Sequence, residues 1–256
     1  FFEHGATRVG HHNKGGNWSG PLMAEGSVIV FFDTAQTGTH SIALDPKTGG
    51  VNWLTPTPGS AFRGSKSSMN VGRVDGKTAV MISGGFRTLG LDAANGQQLW
   101  TCEYYGQVIP PEVREKPNRV TWPGGIPFAV DGVVVDYALP AVKSHYSRIF
   151  AFTVEDGRTN VIWKHQFPTR FYGQMVVKDG FLYGLDDVSG QRDERGQGMR
   201  DNRPMDMGAL HCINVKTGEK AWVSEGLEAL IDFGGIRFPS PAYIIAGDTI
   251  LMHQHN

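Results

Sequence analysis

An all-β chain, a β-propeller of four-stranded antiparallel blades, is what this sequence predicts, and three observations predict it. Four segments repeat one plan: a short apolar strand, an acidic or polar turn ending in Gly, then a Trp. Their tryptophans, Trp53, Trp100, Trp163 and Trp222, fall 47, 63 and 59 residues apart, which suits blades of about 40 to 50 residues with loop insertions. The 256 residues include 34 Gly and 14 Pro, enough for the many tight turns such an architecture needs.

The first segment reads Ser41-Ile42-Ala43-Leu44-Asp45-Pro46-Lys47-Thr48-Gly49 and then Trp53. The second runs from Leu89 through Asp92 and Gly96 to Trp100, again with four residues from Gly to Trp. The fourth, Leu210 to Gly218 before Trp222, keeps that spacing with Asn214 in place of Asp. The third, Ile149 to Gly157, has Thr153 at the acidic position and six residues from Gly157 to Trp163, which predicts a lengthened hairpin. Gly supplies the positive φ of a tight turn, and Asp or Asn can bond the turn backbone, so each segment is a hairpin. Its wholly apolar or alternating first strand suits a sheet covered on both faces, with the Trp wedged between neighbouring blades.

Upstream of each hairpin stands a second pair of strand-like runs around turns such as Val74-Asp75-Gly76-Lys77, Val130-Asp131-Gly132 and Lys178-Asp179-Gly180, giving four strands per repeat. One β-propeller domain is expected, with blades at about 17–57, 66–106, 120–168 and 171–226 and the start of a fifth at 238–256.

Composition narrows the function. A net charge of −1 gives no general attraction for nucleic acid, and no apolar run approaches the roughly 18 residues needed to span a bilayer. Cys102 and Cys212 lie in different repeats and read as two half-buried thiols. No Gly-x-Ser-x-Gly elbow, phosphate loop or Cys-x-x-Cys pair is present. His11-His12 and His253-x-His255 are the only His clusters, neither with a zinc-like spacing. The charged stretch between Asp186 and Asp206 reads as an exposed loop.

The Leu-Asp-x-x-Thr-Gly-x-x-x-Trp pattern resembles the repeat of pyrroloquinoline-quinone (PQQ)-like propellers, and the run from Ser68 to Trp100 resembles secreted PQQ-binding-like repeat proteins of environmental bacteria. The resemblance implies seven or eight blades, so the expectation is that about 4.5 blades here form part of a propeller. The alternative is a five-bladed ring with Phe1 to Val9 closing the last blade. It also implies a periplasmic or extracellular location and a non-catalytic scaffold with no cofactor, engaging a protein partner through loops or blade edges. That role is similar to the lipoprotein propeller that assists outer-membrane protein assembly. The alternative it implies is a PQQ- and Ca-dependent alcohol or sugar dehydrogenase, which requires an Asp base. The adjacent Cys pair frequent in those enzymes is absent, and nothing singles out a base among Asp131, Asp179 and Asp232.

Aligning the repeats on Gly26, Gly76, Gly132, Gly180 and Gly247 places Gly16, Lys66, Trp122, Arg170 and Arg237 ten residues upstream, with Arg63 and Arg119 thirteen upstream in the second and third repeats. Arg63, Lys66, Arg119, Trp122, Arg170, Tyr172 and Arg237 form the candidate ligand-binding set at the channel mouth, where cations and flat rings suit an anionic partner. The competing reading is ordinary: solvated cations on loops, and aromatics packed between blades. The structural motif set is Asp45, Gly49, Trp53, Asp92, Gly96, Trp100, Gly157, Trp163, Gly218 and Trp222.

Overall fold

The computed structural model describes residues 20–34, 38–57, 68–84, 87–103, 107–108, 122–123, 126–139, 147–167, 175–185, 210–224 and 242–253. Blade 1 consists of β1 (Leu22–Ala24), β2 (Ser27–Thr34), β3 (Gly38–Leu44) and β4 (Val51–Pro56) in antiparallel meander order. Blade 2 repeats it with β5 (Ser68–Val74), β6 (Lys77–Gly84), β7 (Arg87–Asp92) and β8 (Gln98–Glu103). In blade 3 the first strand is interrupted, β9 (Trp122–Pro123) and β10 (Phe128–Val130) both pairing with β11 (Val133–Leu139). There β12 (Ser147–Glu155) and β13 (Arg158–Phe167) complete the sheet. Blade 4 holds β14 (Val176–Lys178), β15 (Phe181–Leu185), β16 (Leu210–Asn214) and β17 (Lys220–Ser224), and blade 5 a pair, β18 (Ala242–Ala246) and β19 (Thr249–His253).

Alternation along each strand builds the core as a series of seams between blades, because successive side chains point to opposite sheet faces. In β6, Val80 and Ile82 join Ile29, Phe31, Ala43 and Trp53 of blade 1. Their neighbours Ala79 and Met81 turn the other way, toward Val134, Phe150 and Phe152 of blade 3. In β11, Val133, Val135 and Tyr137 face Leu182, Ile213 and Val215 of blade 4. Both faces being covered explains the near-continuous apolar runs of the middle strands.

The turns between first and second strands follow the two-residue hairpin rule, with positive φ at Asp75–Gly76, Asp131–Gly132 and Asp179–Gly180. In blade 5 the turn is Gly247–Asp248, closed by Ala246 opposite Thr249, and only its Gly has positive φ. Blade 3 differs in its second hairpin, where Asp156 and Gly157 alone connect Glu155 to Arg158. The two extra residues before Trp163 therefore lengthen the strands, and the turn itself is tighter.

Candidate functional site

Three of the four Trp-bearing hairpins share an Asx turn whose bonds repeat closely. Asp45 Oδ1 accepts the backbone N–H of Lys47 and of Thr48, both at 2.8 Å. Those two amides hold its carboxyl below the usual range, Thr48 first. Asp92 Oδ1 accepts from Ala94 N at 3.0 Å, and Asn214 Oδ1 from Lys216 N at 2.9 Å and Thr217 N at 3.1 Å. Gly49, Gly96 and Gly218 donate their N–H to the carbonyls of Asp45, Asp92 and Asn214, each at 2.8 Å. Asn replaces Asp without loss because the turn requires only a short side chain with an acceptor oxygen.

Two of these turns receive the Trp of the preceding blade. Trp53 Nε1 donates to Ala93 O at 3.1 Å, and Trp163 Nε1 donates to Val215 O at 2.6 Å, the residue after Asp92 and Asn214 respectively. The indole lies on the turn glycine so closely that a Cβ at Gly96 would stand 2.6 Å from Trp53, and one at Gly218 2.6 Å from Trp163. Two residues beyond the Trp, Thr55 Oγ1 donates to Gly96 O at 2.8 Å and His165 Nε2 donates to Gly218 O. Ring, indole N–H and a second donor thus clasp one turn.

The seam between blades 2 and 3 has no such turn to grip. Trp100 is buried, its Nε1 has no hydrogen-bond partner, and its ring meets Phe152 edge-on at 5.5 Å. Cys102, two residues on, has a thiol that burial pushes up to about 12, so it stays protonated. The polar link lies deeper instead: Thr88 Oγ1 donates to Asp136 Oδ2, and Tyr137 N to Asp136 Oδ1 at 2.7 Å. The Ser83 hydroxyl stands beside this carboxyl without the geometry of a hydrogen bond. Asp136 is fully buried, and burial pushes its pKa up to about 7 against the lowering by Thr88 and the Tyr137 amide. Four residues after their turn glycines, Gly26 and Gly76, the first two blades carry Val30 and Val80 where blade 3 carries Asp136.

Beyond blade 4, Ile250 of β19 packs on Leu210, Val176 and Tyr183. Trp222 is 42% exposed against 7% for Trp53, touching Tyr183 at a ring separation of 6.0 Å. Among the described residues, five of the seven large exposed apolar side chains lie on fourth strands, Val51 and Leu54 on β4, Ile162 on β13, Trp222 and Val223 on β17, while Met23 lies on β1 and Leu251 on β19.

Of the expected channel set, Arg63, Lys66, Arg119, Arg170, Tyr172 and Arg237 lie outside the described residues. The backbone of Trp122 opens the interrupted first strand of blade 3, opposite Leu139, and its side chain lies outside the description. Because the blade 5 turn begins at Gly247, alignment on turn position moves Arg237 one residue out of register with Lys66, Trp122 and Arg170. No three His, Cys, Asp or Glu side chains converge among the described residues. Sequence reasoning missed Asp136, whose only signal was one acid inside the apolar run Val133 to Tyr137. It also missed the second donor of each clasp, Thr55 and His165, which share donor capacity and no common residue type.

Four-stranded blades joined by Trp-on-turn seams define a PQQ-like β-propeller. The chain belongs to the PQQ_2 family, described as outer membrane protein assembly factor BamB, whose model matches residues 4–224. No curated protein matches the chain significantly. Among solved structures it is similar to a europium-containing methanol dehydrogenase, with a TM-score of 0.56 and 15% identity over 92% of this chain and 46% of that one. It is similar to the quinohemoprotein alcohol dehydrogenase from Comamonas testosteroni, with a TM-score of 0.56 and 16% identity over 94% of this chain and 40% of that one. BamB from Moraxella catarrhalis aligns with a TM-score of 0.44 and 18% identity over 93% of this chain and 70% of that one. The chain therefore spans less than half the length of either dehydrogenase, and at these identities the likeness to the dehydrogenases is one of fold.

Proposed function

We propose that this chain is a non-catalytic propeller of the bacterial cell envelope, periplasmic or extracellular, that binds protein partners along its blade edges and needs no cofactor. The observation that carries this reading is that five of the seven large exposed apolar side chains among the described residues lie on fourth strands, Val51 and Leu54 on β4, Ile162 on β13, Trp222 and Val223 on β17, with Met23 on β1 and Leu251 on β19 the exceptions. An outer strand also presents unpaired backbone groups, so such an edge can bind an extended segment through main-chain bonds and small apolar pockets. Membership of a family described as an outer membrane protein assembly factor supports the same role. The net charge of −1 favours protein over nucleic acid as partner.

The test is a photo-crosslinking amino acid placed at Leu54 and at Ile162 in cells. One stoichiometric crosslinked protein is expected. Purified chain that instead reduces a redox dye with alcohols or sugars, only after addition of PQQ and Ca²⁺, would replace this reading with the dehydrogenase.

A further inference from the structure

Ser83, Thr88 and Asp136 meet in the interior where blades 2 and 3 face each other. Ser83 of β6, Thr88 of β7 and Cys102 of β8 stand side by side across one face of blade 2, all of them buried. Asp136 of β11 reaches this row from blade 3, with Thr88 Oγ1 donating to its Oδ2 and the Tyr137 amide to its Oδ1. Ser83 Oγ lies beside the carboxyl, shut off from water and without a hydrogen-bond partner. A neutral carboxyl carries one O–H donor of its own, and a small rotation of Ser83 offers that donor an acceptor, so the protonated form satisfies both side chains. An ionised carboxyl only accepts, and its charge then sits among neutral donors away from water, which is costly.

The same position is where the first strand of blade 3 is interrupted. First-strand partners on β11 run over Val133–Val135 and resume at Ala138, so Asp136 stands at the break. In blade 2 the corresponding ladder is continuous from Lys77 to Ser83. The pieces β9 and β10 hold two and three residues, and such short ladders open at low cost. The flanking seams are held by clasps without a carboxyl, Trp53 on Ala93 O and Trp163 on Val215 O, while the N–H of Trp100 is unbonded here. The charged groups of the facing sheets are engaged elsewhere: Lys77 pairs with Asp92 at 3.8 Å, Arg87 with Glu103 at 3.6 Å, and Lys164 donates to Gln107 O. Cys102 stays a thiol, and Arg148 of β12 shares this face by register, opposite Ala138.

We propose that Ser83, Thr88 and Asp136 form a proton-operated latch between blades 2 and 3. The seam is closed while the carboxyl is neutral, and loss of its proton opens the seam locally at the strand break, with the clasps on either side still shut. Water entering at the break hydrates the carboxylate and reaches Cys102, the neighbour of Thr88 on β8. The direction follows from the two states of the latch. Opened, the carboxyl is an ordinary one, near 3.8; closed, it keeps its proton up to about 7. Closure is therefore complete at acid pH and fades as pH rises through that interval. A local opening differs from a pH slope of overall stability, because it exposes one thiol of the chain and leaves the other as it was.

The experiment labels the two cysteines of the whole chain, Cys102 at the latch and Cys212 in blade 4, and counts each by peptide mass. The probe is a dipyridyl disulfide, which reacts with thiols across the acid range. Burial raises both thiols, so neither ionises appreciably in this range and the ratio of their rates cancels the pH dependence of the thiol chemistry. The ratio of Cys102 to Cys212 labelling is expected to rise at least about tenfold between about pH 4.5 and about pH 7. Asp136→Asn, which matches the neutral acid in shape, removes the rise. So does Asp136→Val, which installs the residue that Val30 and Val80 provide at this position in the first two blades. A flat ratio in the unaltered chain overturns the proposal, whether Arg148 holds the carboxyl ionised or the whole chain opens and labels both thiols together. A rise that persists in either variant overturns it as well.

Discussion

Two neighbouring seams of one propeller are fastened by different chemistry. Between blades 1 and 2 the polar contact is near the rim, where Trp53 and Thr55 hold the Asp92 turn through backbone carbonyls. Between blades 2 and 3 it lies in the interior, where Thr88 meets a fully buried carboxyl, and Trp100 contributes surface and leaves its N–H unpaired. The clasp between blades 1 and 2 is made by an indole N–H, a hydroxyl and backbone carbonyls. The interior link contains a titratable group whose two hydrogen-bond donors are neutral, and burial disfavours its charged form. One tight turn in blade 3 accounts for the difference, because it removes the carbonyls that the preceding Trp would hold.

The largest expected effect separates the seams by pH. The folded-state pKa of Asp136, about 7, lies above the ordinary 3.8, so the native chain keeps a proton that the unfolded chain releases. Stability from this group is full below pH 3.8 and is lost as pH rises toward 7. Asp136→Asn should flatten that slope and make the chain more stable at pH 8 by up to about 4 kcal/mol, measured by urea unfolding across pH. An unchanged slope would mean that the carboxyl is relieved of its burial.

Next comes the contrast between occupied and open turns. Gly96→Ala must place a Cβ 2.6 Å from the Trp53 ring in a backbone with φ of +74° and should cost about 3 kcal/mol. Gly49→Ala has nearly the same φ, +71°, with open space around it, and should cost about 1 kcal/mol. Equal losses would show that the ring contact contributes nothing.

Replacing the indoles sharpens the same comparison. Trp163→Phe removes a bonded N–H and strands Val215 O, whereas Trp100→Phe removes a donor that has no acceptor. Trp163→Phe should therefore cost about 1 kcal/mol more through hydrogen bonding, seen as a larger drop in the denaturation midpoint. The smallest contrast concerns second donors: Thr55→Ala should cost about 1 kcal/mol, whereas Ser224→Ala, which removes a buried hydroxyl without a partner, should stabilise the chain by about 1 kcal/mol.

Much of the blade plan was legible because it is made of local rules. Asp45, Gly49 and Trp53 state a turn and a wedge within nine residues, and the longer interval from Gly157 to Trp163 announced that blade 3 differs. What stayed illegible depends on pairs that the sequence separates. Thr88 and Asp136 are 48 residues apart, and neither belongs to the repeat motif. Thr55, His165 and Ser224 occupy one structural position with three residue types, so identity matching passes over them. The blade 5 register slipped because Gly247 takes the first place of its turn, while Gly26, Gly76, Gly132 and Gly180 take the second. The expected channel cations, apart from the backbone at Trp122, lie outside the described residues.

One spectrum of indole N–H groups tests the seams most directly. Trp53 and Trp163 should give downfield resonances with slow solvent exchange, since both donate to carbonyls. Trp100 should exchange slowly without the downfield shift, being buried and unbonded, and the 42%-exposed Trp222 should exchange faster than the other three. Four equivalent resonances, or a Trp100 as far downfield as Trp53, would contradict the division between clasp and interior link.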